Sequence, residues 1–229
     1  MTLALVFALV QAVAPAPGKV AGPAADPAAI AARAVDLQKQ GRLEDAAEEY
    51  RIFLQLSPRS WEARSNLGVV YAQLGRFDDA VTQYREALAL HPSALAVRYN
   101  LAVALYKGVR FGEAASEIEA VLKAKPDHPQ APLLLADCRL LLGEWKQVIA
   151  ILDPLLERDP DNKAILYMLG TALMRDRQPE RGQRVLDRIL RQGDSAEAHL
   201  VLAIASREAN DDIAAEKPAC RTARHTDGL

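Results

Sequence analysis

The chain has 229 residues; half are apolar but only 5% aromatic, and 28 Lys and Arg stand against 30 Asp and Glu for a formal net charge of −2. Charges of both signs are interspersed without a long run of either, which excludes the clustered basic face that nucleic-acid binding requires. Few rings and many Ala, Leu and Val imply a core built through local contacts, although the length alone would suit one or two globular domains.

In chain order, the first element is an apolar run over residues 3–10, followed by the small residues Ala12, Val13 and Ala14 in an A-x-A pattern. The run is short of the ~20 residues that a membrane-spanning helix needs. It predicts a signal peptide over residues 1–14 and an exported protein, periplasmic or secreted. The alternative is an Ala-rich start of a cytoplasmic protein, because no Lys or Arg precedes the run. Residues 15–26, rich in Pro, Ala and Gly, read as a linker.

From there a period takes over. Pro58, Pro92, Pro126 and Pro160 fall 34 residues apart, which divides the chain into units 27–60, 61–94, 95–128, 129–162 and 163–196. Unit position 8 is small throughout (Ala34, Gly68, Ala102, Ala136, Gly170), and position 20 is mostly Ala (Ala46, Ala80, Ala114, then Val148 and Gly182). Position 15 is mostly glycine (Gly41, Gly75 and Gly143, with Val109 and Arg177 as departures). Within a unit the spacing is helical: Leu67, Val70, Tyr71 and Leu74 follow i, i+3, i+4, i+7, and Gly75 ends the helix. A second helix opens with the acids Asp78 and Asp79 and ends before Pro92. Pro154, inside the second helix of the fourth unit, predicts a kink. The fold class is therefore all-α, a solenoid of stacked helical hairpins: five units, with an incomplete sixth and a polar tail over residues 197–229.

The segment from Asn66 through Gly75, Ala80, Tyr84, Ala87 and Pro92 resembles the tetratricopeptide repeat (TPR), and the resemblance extends over all five units. It implies that first helices line a concave groove, with unit positions 2, 5, 9, 12 and 13 facing into it. Mapped on this chain, these include Ser65, Val69, Ala72 and Gln73 in the second unit, and Tyr99, Val103, Tyr106 and Lys107 in the third. They continue with Leu133 and Asp137 in the fourth, and Tyr167 and Thr171 in the fifth; Asn66 and Asn100 stand at the edge. The basic clamp by which some relatives grip acidic chaperone tails is missing, since Ala31 and Val35 occupy its places in the first unit. Apolar anchors of an extended or helical peptide suit such a groove better.

Catalytic chemistry leaves no signature. His91, His128, His199 and His225 are isolated, and no phosphate-binding glycine motif, H-E-x-x-H or G-x-S-x-G string occurs. Cys138 falls at a core position, Cys220 lies in the tail, and metal-ligand spacing is lacking. The sequence thus points to no enzyme, no metal, no cofactor and no small-molecule substrate, but to a scaffold for a protein or peptide ligand. Two alternatives remain at this level: a recognition arm of an enzyme whose catalytic domain is elsewhere, and an array that self-associates through an exposed C-terminal helix.

Overall fold

The computed structural model describes residues 26–191, together with Ala203 and Arg207. The expected signal segment, the linker up to residue 25 and, apart from those two residues, the incomplete sixth unit lie outside the described residues. Among the described residues ten α-helices follow one another: α1 (Pro27–Lys39), α2 (Leu43–Leu56), α3 (Trp61–Gln73), α4 (Phe77–Leu90), α5 (Leu95–Lys107), α6 (Phe111–Ala124), α7 (Ala131–Leu141), α8 (Trp145–Arg158), α9 (Lys163–Arg175) and α10 (Pro179–Arg191). Each packs on the next, so the units are five stacked hairpins, as the period predicts.

Small residues set the distance between helices. Ala34, Ala102 and Ala136 at position 8, and Ala46, Ala80 and Ala114 at position 20, are fully buried. At Gly68 an added β-carbon would stand 2.6 Å from Cε1 of Tyr84, and at Gly170 one would stand 2.5 Å from Cδ2 of Leu186. At Gly68 and Gly170 the missing β-carbon therefore lets a large side chain of the second helix close over the first, an approach that a methyl group there would obstruct, while the other units hold an alanine at this position.

Position 15 is left-handed in every unit. Gly41, Gly75 and Gly143 have φ of 74–75°, and Val109 and Arg177 take φ of 62° and 61°. The same two hydrogen bonds impose it: Gly75 N–H donates to the Ala72 carbonyl at 3.1 Å and Arg76 N–H to the Tyr71 carbonyl at 2.8 Å. In the third unit Val109 and Arg110 donate to Tyr106 and Leu105 in the same way. This double closure satisfies carbonyls that the helix end would leave bare.

The recurring prolines are held from inside the next helix. Arg64 donates to the Pro58 carbonyl at 3.0 Å while pairing with Glu86. Arg98 repeats the device one unit on, with the Pro92 carbonyl at 3.2 Å and Glu117 at 2.8 Å.

Two departures stand in the fourth unit. Its first helix begins at Ala131 rather than at Pro129, where the period would start it. Counted from Pro129, Pro132 would be the fourth helical residue, whose missing N–H should have met the carbonyl of His128. Starting at Ala131 moves Pro132 into the first turn, where no N–H is needed. The Nδ1 of His128 then accepts from the N–H groups of Ala131 (3.1 Å) and Gln130 (3.4 Å), covering the shortened helix end. The second departure, Pro154, sits within α8, which runs through it as one helix; Pro154 and Ala150, whose carbonyl loses its partner, are both exposed. The buried core also divides at α7: Leu135 and Cys138 join the cluster of the first three units, while Ala136 joins that of the last two. Cys138 is fully buried and its thiol is pushed up to about 11, chiefly by that burial, so it is an inert core residue.

Candidate peptide-binding groove

The concave positions do not form one uniform trough. Between units two and three they enclose a cleft of about 430 Å³. Val69, Ala72 and Gln73 of α3 form one bank, and Asn100, Val103, Ala104 and Lys107 of α5 form the other. Phe77 and Tyr84 of α4 supply the floor. The cleft thus contains six of the residues that sequence analysis singled out (Val69, Ala72, Gln73, Asn100, Val103 and Lys107). It also draws two rings from a second helix, which a map of first-helix positions alone misses. Their signal was available: Tyr84 is the ring that fills the space left at Gly68.

Between units three and four the arrangement changes. The Tyr99 hydroxyl donates to Oε1 of Gln130 at 3.2 Å, and its ring lies 4.6 Å from that of His128. The Tyr106 hydroxyl donates to Oδ2 of Asp137 at 2.5 Å, with its ring against Phe111 at 5.6 Å. Both rings are half-buried and pack at the edge of the main core. The carboxylate of Asp137, accepting that bond, pushes the Tyr106 phenol up to about 12, with burial as the second cause. These tyrosines therefore tie α5 to α7.

The remaining predicted residues are dispersed. Ser65 and Asn66 are half-buried on α3, where the Asn66 side chain hydrogen-bonds the Tyr50 phenol. Leu133 lines a separate cleft of about 370 Å³ beside Pro129, Pro132, Leu155 and Ile165, on the edge where α7 starts late. Tyr167 is 41% exposed on α9. Thr171 buries its hydroxyl without a hydrogen-bond partner among the described residues. No group of three or more His, Cys, Asp or Glu able to hold a metal occurs among the described residues.

Family models described as tetratricopeptide repeat match residues 31–94 and 71–129, and a second such model matches 108–162 and 147–205. The chain belongs to the tetratricopeptide-repeat family. As a TPR protein it is an interaction scaffold in its general architecture. No curated protein matches it. Among solved structures it is similar to YrrB, described as a TPR protein with an unusual peptide-binding site, at 19% identity and a TM-score of 0.70, covering 80% of this chain and 92% of that one. It is also similar to MamA residues 41–end from Desulfovibrio magneticus RS-1 (20% identity, TM-score 0.66, covering 74% of this chain and 97% of that chain). A third similar structure is PilF of Pseudomonas aeruginosa (20% identity, TM-score 0.58, covering 82% and 87%). At these identities the likeness is one of fold.

Proposed function

We propose that this TPR protein is a non-catalytic scaffold that holds an extended or helical peptide segment of a partner in the cleft between units two and three, and that it works outside the cytoplasm. The observation that carries the binding reading is the cleft itself. It is concave, it is floored by Phe77 and Tyr84, and among its lining residues Val69, Ala72, Val103 and Ala104 are apolar while Gln73 and Asn100 present amides. An apolar floor with a few polar groups at the rim is the general form of a site that buries a side chain and orients a main chain. Export is supported by the apolar run at residues 3–10 and the small residues that follow.

The test is selection of peptides from a random displayed library against the full chain, followed by affinity measurements on a variant within the cleft. Val103→Gln weakens the selected peptides at least about ten-fold with the melting temperature nearly unchanged, the behaviour of a central contact in a small interface. Binding that ignores Val103 and follows Tyr167→Ala or Leu133→Ala instead would refute the cleft as the site. Export is checked by N-terminal sequencing from the native host: the mature chain begins at or just after Pro15, and recovery of the intact Met1 or Thr2 terminus on cytoplasmic protein contradicts it.

A further inference from the structure

Of the residues that line the cleft between units two and three, Lys107 alone carries a formal charge. It is the last residue of α5 and is exposed. It forms no ion pair among the described residues, and its ammonium lies 6.0 Å from the centre of the Tyr106 ring. A cation at a helix C-terminus is favoured by the helix dipole, which accounts for basic residues at this unit position in general. Among the equivalents of Lys107, Lys39 has Asp36 at 3.8 Å, and the Arg175 guanidinium lies over the Trp145 ring at 5.7 Å much as the Lys107 ammonium lies over Tyr106. The acid that comes next along the concave face, Asp137, accepts the Tyr106 hydroxyl. The amide of Asn100 makes no hydrogen bond among the described residues either. The cleft therefore combines an apolar floor, one amide without a hydrogen bond and one positive charge without a carboxylate partner among the described residues, and no carboxylate in its lining.

We propose that the occupant is an acidic peptide segment: an aliphatic side chain on the floor against Val69 and Val103, its main chain meeting Asn100, and a carboxylate a few residues away meeting Lys107. Complementary charge at the rim of an apolar site selects among partners more than it raises affinity, so the acid sets which aliphatic segments are accepted. This inference rests on the cleft as the peptide site, and its test separates the two.

Three fluorescein-labelled heptapeptide pools share a fixed Leu and carry Asp, Asn or Lys three residues later, with the other positions drawn from Ala, Ser, Gly and Gln. Anisotropy titration with the full chain gives their affinities. The Asp pool binds about five-fold more tightly than the Lys pool, the size of effect expected of a partly exposed ion pair. Lys107→Gln abolishes the difference and Lys107→Glu reverses it, while all variants melt like the parent. If the pools bind alike and Val103→Gln weakens every one, the acidic preference is overturned and the cleft remains the site. If no pool binds, or binding is indifferent to Val103→Gln, the cleft reading falls and takes this inference with it.

Discussion

At Val109 a β-branched residue stands in left-handed backbone (φ 62°) with its side chain 71% exposed. It contributes little burial, and its conformation is one that L-residues adopt at a cost of ~1–2 kcal/mol. Part of what glycine would regain there is offset by its freer unfolded chain. Val109→Gly therefore raises stability by ~1 kcal/mol, read as a higher urea midpoint at unchanged slope. A lower midpoint would show that the valine packs in some compensating way. Tyr106 and Asp137 give a second prediction. A phenol raised from its usual value near 10 to about 12 in the folded state contributes stability that is present below about pH 10 and is lost as the pH climbs through about 12. Asp137→Asn weakens the hydrogen bond that holds the proton and removes the neighbouring charge, so the Tyr106 phenolate appears at lower pH in an ultraviolet titration, and stability declines less steeply in that window. An unchanged titration would mean that the carboxylate is not what holds the proton.

At the scale of the helix, the period made most of the fold legible, because close approach and a left-handed stop constrain residue type wherever the backbone repeats them. Positions 8, 15 and 20 are such places, and Val109 and Arg177 show the hydrogen-bond frame persisting where the residue type does not. The start of α7 was not legible in the same way. The period set it at Pro129, whereas Pro132 three residues later displaces it by a local rule that the repeat does not encode. Pro132→Ala restores the missing donor, and α7 then extends back towards Pro129, with the amide gained at position 132 protected from hydrogen exchange by the His128 carbonyl. Rapid exchange at that amide would place the cause elsewhere, in Pro129 or in the His128 cap. The groove was half legible. First-helix positions led to Val69, Asn100, Val103 and Lys107, but the floor rings of α4 and the hydroxyl bonds of Tyr99 and Tyr106 depend on how neighbouring units meet, and no spacing within one unit reports that.

In the whole molecule, stability is distributed, since the helix contacts of each hairpin among the described residues run chiefly to its neighbours along the row. Removing one full unit, residues 129–162, leaves a soluble helical protein in which the third and fifth units join, whereas removing residues 129–145 puts position 8 of one helix against the wrong partner and collapses the array. Circular dichroism and melting of both deletions check this; equal tolerance would contradict the unit boundaries. The same modularity localises function, because the cleft needs only α3, α4 and α5, while the tyrosine bonds to Gln130 and Asp137 close the interval that follows. Whether the cleft is the binding site is read out residue by residue in amide chemical-shift mapping of the full chain, titrated with a peptide selected from the displayed library. The largest perturbations are expected on Val69, Gln73, Asn100, Val103 and Lys107, with α9 and the edge around Leu133 and Arg158 nearly silent. Perturbations centred on that edge cleft, or on the outer faces of the second helices, would contradict it.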